Sequence, residues 1–318
     1  MEFLYFAGDQ RFGAWASRRR KTRTCRVVWS RCLNWQTLPT STSWCSRWRP
    51  VLPCRPRQRR LIAPGVSMGG ARPKALIDIG GEQWVLKFSE PGETIDMPLV
   101  EHAAMTLAAK AQICVAVTQP LALVRGHALA VRRFDRVRVG TECRRRHALS
   151  ANVVLKAAGE CLGYPELAQL LRRPGVAVSS LGRAQMAELF RRMIFNILID
   201  KTDDHEKNHA LLLTDHSEYA LSPAFDVLPS GPALGYQQMR VGADMADSTL
   251  TNALSEHAQF GLKRDEAESQ VRRVVAAVAG WKTHFAALGV KAVDIEAPAQ
   301  QIDRPFLADH RRAWGGAD

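Results

Sequence analysis

The stretch Thr202-Asp203-Asp204-His205-Glu206-Lys207-Asn208-His209 sets an Asp five residues ahead of an Asn. Ser222-Pro223-Ala224-Phe225-Asp226 then places another Asp 18 residues beyond that Asn. Phosphoryl transfer needs such parts: a carboxylate to receive a hydroxyl proton, and an amide and a second carboxylate to hold Mg²⁺ against a nucleotide. The spacing Asp203-x-x-x-x-Asn208 is that of a kinase catalytic loop, in which the Asp orients the attacking hydroxyl and the Asn binds metal. Lys207 would neutralise charge on the transferred phosphoryl group. The plainer reading is a polar turn after a helix, which Thr-Asp-Asp commonly makes. Asp226 weighs against it, because it stands in a Pro-containing loop where a metal-binding aspartate is wanted.

The same residues also read His205-Glu206-x-x-His209, the pattern of a zinc protease. That chemistry needs a helix that puts both His on one face. Asp203-Asp204 would cap such a helix, but Ala210-Leu211-Leu212-Leu213 offers it no polar face. No further His follows at metzincin spacing.

Two more features have nucleotide chemistry. Lys87 lies in Trp84-Val85-Leu86-Lys87-Phe88, either as a solvent-facing lysine on an edge strand or as an ammonium over phosphates. Glu101, near the start of the next helix, is a candidate partner for it. The loop Ser67-Met68-Gly69-Gly70-Ala71-Arg72-Pro73-Lys74 precedes a strand. Its adjacent glycines would let backbone N–H groups approach phosphates. It lacks the Walker spacing, which excludes a P-loop enzyme.

These residues need elements to position them. Alternation predicts strands over 75–79 and 83–88, with Gly80-Gly81 as the hairpin turn. A helix follows over 99–111, then strands over 115–124 and 127–134. After about Ser150 the pattern turns helical, with short helices over 151–162 and 165–172. Met186, Leu189, Phe190, Met193, Ile194, Ile197 and Leu198 then form a buried stripe in a helix over 181–200. That helix ends just before Asp203 and delivers the candidate loop. Short strands over 209–213 and 219–221 and a long amphipathic helix over 263–288 complete the reading, with a loose tail from Ala297. The organisation is therefore an atypical segment 1–60, a sheet-containing lobe 61–145, a helical lobe 146–296 and a tail 297–318.

The net charge of +13 has one source. Between Trp15 and Arg60 there are 13 Lys and Arg and no acid, and the remaining 31 basic residues balance 31 acidic ones. The same segment holds five of the eight Trp and four of the seven Cys, without apolar periodicity. Three readings stand: an arm binding nucleic acid, a solvated basic tail, or a stretch translated out of frame. No apolar run approaches the roughly 20 residues of a membrane span. The opening Met1-Glu2-Phe3-Leu4-Tyr5 is short and acidic for a signal peptide. An odd number of Cys without CxxC spacing argues against a disulfide framework, so the expected compartment is the cytoplasm.

Five ordered blocks resemble the HipA family of bacterial toxin serine/threonine kinases. They are Ser67–Lys74 with Trp84–Phe88, Asp96-Met97-Pro98-Leu99-Val100-Glu101, Val131-Arg132-Arg133-Phe134-Asp135-Arg136, Thr202–His209, and Leu221–Pro229. The opening Phe6–Ala14 also looks like family text. The resemblance implies an α+β, two-lobed protein-kinase-like fold with ATP between the lobes. It implies Asp203 as catalytic base, Asn208 and Asp226 as Mg²⁺ ligands, Lys87 on the ATP phosphates, and Gly69, Gly70 and Ala71 in the phosphate loop. Ser67 matches the serine that family members autophosphorylate. The implied partners are a helix-turn-helix antitoxin, operator DNA through that antitoxin, and a protein substrate such as an aminoacyl-tRNA synthetase or translation factor. The chain departs from the family pattern before the glycine loop, where 15–60 does not resemble the longer N-terminal subdomain. That leaves a non-catalytic, antitoxin-bound regulator as the alternative.

Overall fold

The computed structural model describes residues 33–34 as backbone and 72–140, 142–173, 182–215, 217–230 and 235–315 in full. The chain divides into two compact units, Met1–His102 with Val117–His147, and Ala103–Ala116 with Ala148–Asp318.

The first unit is built on a five-stranded sheet of order β1-β2-β3-β5-β4. Its strands are β1 (Leu33–Asn34), β2 (Lys74–Ile79), β3 (Glu82–Lys87), β4 (Thr118–Ala122) and β5 (His127–Arg132). β1 pairs in parallel with β2, and the other pairs are antiparallel. Alternation puts Ala75, Ile77, Trp84, Leu86 and Ala130 together as one buried cluster, with Ile79, Phe88 and Leu121 packed on it. β3 lies between β2 and β5, so the strand of Lys87 is an interior one. The edge-strand reading of Lys87 fails because β5 pairs along its far side. β6 (Arg136–Val139) and β7 (Glu142–Arg145) form a separate hairpin. Just before it, Asp135 is buried between Arg133 and Arg136. Burial, with Arg133 beside it, lowers the Arg136 guanidinium to about 10.

Helix α1 (Met97–Lys110) belongs to the first unit up to His102. Asp96, just before it, accepts from the Leu99 N–H and from the backbone and ring Nδ1 of His127. His102 Nδ1 bonds Thr118 Oγ1 at 2.8 Å. These bonds tie the first turns of α1 to β4 and β5 and so place Glu101.

The second unit is mostly helical. Its three-stranded sheet has the order β10-β9-β8, with β8 (Ala148–Ser150), β9 (Ala210–Leu213) and β10 (Tyr219–Leu221). Around it are α2 (Ala151–Ala158), α3 (Tyr164–Arg172), α4 (Gly182–Leu198), α5 (Leu250–Ser255) and α6 (Arg264–Ala279). Ser150 caps α2 by accepting from the Val153 N–H, and Gly159 ends it with φ +70°. The whole predicted stripe of α4 is buried.

Two expectations are corrected here. The long helix over 263–288 is two helices, α6 and α7 (Trp281–Ala287), broken at Gly280. Glycine costs about 1 kcal/mol in a helix relative to alanine. The tail from Ala297 is not loose: α8 (Ala292–Ile302) runs through Pro298, and α9 (Pro305–Ala313) follows. Ile302 and Leu307 are buried. Asp303 accepts from Trp281 Nε1 and Arg311 and pairs with Lys282, and Arg304 pairs with Asp200. Proline and arginine resemble loop chemistry, whereas here Arg304 is tethered to buried Asp200 and Arg311 to half-buried Asp303. Among the described residues no helix is long and apolar enough to cross a membrane.

Candidate active site

In the first unit, Lys87 Nζ donates to Glu101 Oε1 at 2.5 Å. Both side chains are mostly shielded from solvent, 12% and 6% exposed. The antiparallel register sets Lys87 opposite Leu129 and beside the buried strand core. An ion pair so placed holds the ammonium in one position, because a lone buried charge is costly. Gly69, Gly70, Ala71 and Ser67 lie outside the described residues.

In the second unit, the chain leaves α4 through Asp200, which is buried with φ +56°. Burial raises the Asp200 carboxyl, and Arg304 opposes that rise. The loop then alternates in exposure. Asp203 and Lys207 face solvent, whereas Asp204, Glu206, Asn208 and His209 are buried. Asp203 Oδ1 accepts from Gln238 Nε2 at 2.7 Å. Asn208 N–H donates to the His205 carbonyl at 2.8 Å, closing a single 3₁₀ turn over Glu206–Asn208.

Asp204 anchors this loop. It accepts from Lys201 Nζ at 2.9 Å, His209 Nε2 at 2.8 Å and the Tyr164 hydroxyl. Asn196 Nδ2 in turn donates to Tyr164 Oη at 3.1 Å. All five residues are buried. Burial alone would raise the Asp204 carboxyl, but the charges of Lys201 and His209 and the hydrogen bonds outweigh it and hold it well below the usual range. Burial, and the Asp204 charge after it, push the Tyr164 phenol well above its ordinary value. Sequence spacing alone does not mark this cluster, which joins Tyr164 and Asn196 to residues 201–209. Its only local signal was the second Asp of an Asp-Asp pair, whose neighbours alternate inward.

Asp226 sits in the left-handed region at φ +59°. Aspartate tolerates that conformation better than most residues, and such strain gathers at functional sites. Its loop is pinned from several sides. Arg192 Nη2 donates to the Ser222 carbonyl at 2.7 Å, and Gln185 Oε1 accepts from the Leu221 N–H at 2.5 Å. Ala224 exchanges bonds with Cys114 and Ala116, 2.7 and 2.8 Å. Phe225 and Val227, on either side of Asp226, line a narrow cavity together with Asn208, Asp204, His209, Asn196 and Arg192. The Asn208 and Asp226 loops therefore meet within the second unit. A larger open groove of ≈ 440 Å³, lined by Glu160, Glu166, Arg172, Arg173 and Arg240 among others, holds none of the candidate residues.

The zinc reading is overturned by this geometry. His205 and His209 flank a three-residue 3₁₀ turn with extended backbone, ψ 163° and 135°, so they do not share a helix face. His209 is turned to Asp204, and Glu206 accepts from Asn152 Nδ2. Among the described residues no three His, Cys, Asp or Glu side chains gather as a metal cluster. Asn208 and Asp226 would offer oxygen donors, which suit a hard cation that keeps most of its waters.

Comparison with known proteins agrees with this fold. The model of the HipA-like C-terminal domain matches residues 66–281. The chain belongs to that family. A Sinorhizobium fredii (strain NBRC 101917 / NGR234) protein named "Putative kinase Y4dM" is 28% identical over 250 residues, 71% of this chain and 59% of the relative. The chain thus spans about three fifths of that relative's length. A protein chain from the Shewanella oneidensis MR-1 toxin–antitoxin complex of HipA, HipB and operator DNA superposes with a TM-score of 0.57 at 19% identity. That match covers 79% of this chain and 68% of the other. The Helicobacter pylori proinflammatory kinase CtkA matches at 10% identity and a TM-score of 0.47, over 77% and 92% of the two chains. The fold is the α+β, kinase-like one expected.

Proposed function

We propose that this chain is an ATP- and Mg²⁺-dependent serine/threonine protein kinase of the HipA type. The observation that carries the reading is the loop 203–208, which turns Asp203 outward and Asn208 inward beside the loop of Asp226. Family membership supports it. In this reading Asp203 accepts the proton of a serine hydroxyl as its oxygen bonds to the γ-phosphorus. The bond from that phosphorus to the bridging oxygen breaks, and ADP leaves with the electron pair. Lys87, fixed by Glu101, holds ATP phosphate oxygens, and exposed Lys207 offsets charge on the transferred group. Asn208 and Asp226 would hold Mg²⁺, which supplies charge neutralisation at the phosphates. The rest is positioning and electrostatic stabilisation.

The chain also serves, in this reading, as the toxin of a toxin–antitoxin pair in the cytoplasm. The likeness to a chain solved with HipB and operator DNA supports a DNA-binding, helix-turn-helix antitoxin as its partner. The test is transfer of labelled γ-phosphate to the chain itself and to arrayed serine peptides. Transfer by wild type and its loss in Asp203→Ala support the kinase reading. A well-folded wild type that transfers nothing contradicts it and favours the regulator.

A further inference from the structure

Gln238 is 35 residues from Asp203 in sequence, yet its carboxamide donates to that carboxylate at 2.7 Å. Both side chains are exposed. The contact is more than a chance surface bond, because the backbone on each side of Gln238 is fixed. Gln237 and Met239 are buried, as is Val241, so residues 236–241 alternate like a strand with Tyr236 and Gln238 outward. Gln237 N–H donates to the Ala246 carbonyl at 2.7 Å, and its side chain donates to Ser248 Oγ at 2.9 Å. On the other side, Arg240 is clamped by Glu166 and Glu256, both at 2.7 Å.

One residue holds both partners. The Tyr164 hydroxyl bonds Asp204, next to Asp203, while the Tyr164 backbone N–H donates to the Arg240 carbonyl at 3.0 Å. The Arg240 N–H closes the pair by donating to the Leu162 carbonyl at 3.1 Å. The stretch carrying Gln238 and the loop carrying Asp203 are therefore both held by Tyr164 at the start of α3, the first through its backbone and the second through its hydroxyl.

We infer that Gln238 is a positioning residue for the phosphoryl acceptor; this rests on the kinase reading above. An amide N–H fixes the carboxylate plane through Oδ1 without adding a positive charge that would weaken a base. Oδ2 is left for the incoming hydroxyl. A carboxamide also carries an acceptor. Its Oε1 takes a backbone N–H of the segment that presents the serine, so the acceptor is an extended peptide rather than a small alcohol.

The test is steady-state transfer from ATP to arrayed serine peptides by wild type, Gln238→Ala, Gln238→Glu and Asp203→Ala, with a melting curve for each. Gln238→Ala is expected to lower kcat ~10-fold, the scale of one hydrogen bond to a charged group. It should raise the peptide KM and leave the ATP KM and melting temperature unchanged. Gln238→Glu keeps the acceptor oxygen but sets a second carboxylate against Asp203. It should therefore lose more kcat than Gln238→Ala while keeping the peptide KM nearer wild type. Wild-type kcat and peptide KM in Gln238→Ala overturn the inference and leave the kinase reading standing. So does a loss that follows only a lowered melting temperature. Absence of transfer by wild type overturns both.

Discussion

Tyr164 and Asp204 are forty residues apart in sequence, and the hydroxyl of one donates to the buried carboxylate of the other. Their rings and charges interlock with His209, which stacks edge-on against Tyr164 at 5.4 Å and donates to the same carboxylate oxygen. Through this pair, helix α3 holds the loop that carries both Asp203 and Asn208. The backbone of that loop is thus set from inside the unit, while its exposed side chains Asp203 and Lys207 face solvent.

This pair makes stability depend on pH in a definite sense. The folded-state carboxyl of Asp204 is depressed, so its contribution is present above the ordinary carboxylate range near pH 4 and lost as pH falls through the folded value. The Tyr164 phenol is raised, so its contribution is present below about pH 10 and lost as pH rises beyond that. Asp204→Asn should cost on the order of 3 kcal/mol at pH 7, as breaking a buried ion pair does. Urea titrations should show that difference narrowing below about pH 4. A difference that stays constant down to pH 2 would contradict the assignment.

The Lys87–Glu101 pair predicts non-additive losses. Lys87→Met removes the ammonium that Glu101 faces and should destabilise by about 3 kcal/mol. Adding Glu101→Gln removes the buried charge as well and should restore more than half of the loss. Urea unfolding of both single variants and the double variant decides this. Simple addition of the two single losses would mean that the pair is not coupled.

Arg304 predicts a link between the C-terminal helices and the candidate loop. It is the partner of Asp200, whose buried, left-handed position begins the turn into Lys201–Asp204. Arg304→Ala should cost roughly 2 kcal/mol or more, since it strands a buried carboxylate. Amide hydrogen exchange at Lys201 to Asp204 should accelerate along with it. Unchanged exchange there would confine the role of Arg304 to its own helices.

The exposed position of Asp203 gives a clean functional variant. Among the described residues Asp203→Ala removes the Gln238 contact alone, so it should melt as wild type does, while phosphoryl transfer falls by about 10²-fold or more. Phosphoryl transfer at the wild-type rate in this variant would remove Asp203 from the mechanism.

Local pattern carried much of this structure into view. The apolar spacing of α4 is a short-range signal, and so are the β2–β3 hairpin and the Asp–Asn spacing of the loop. What stayed hidden depends on distant pairing. Lys87 is interior because β5 crosses to its far side, which no property of residues 84–88 announces. Gln185, Arg192 and Asn196 interrupt the apolar stripe of α4, and their role as anchors exists only once the loops have come to them. Gln238 lies in a stretch without periodicity strong enough to name. The C-terminal helices are hidden in the sequence because Pro298 and the arginines look like loop when partners such as Asp200, about a hundred residues away, cannot be seen.

The most direct test of the nucleotide site is thermal unfolding of the chain with ATP alone, Mg²⁺ alone and both, with Asp226→Ala alongside. The kinase reading predicts a rise in midpoint that needs both ligands and vanishes in the variant. At ligand near 100 times its Kd the stabilisation would be about 2.7 kcal/mol. A cooperative melt that Mg-ATP leaves unmoved in the wild-type chain would contradict it.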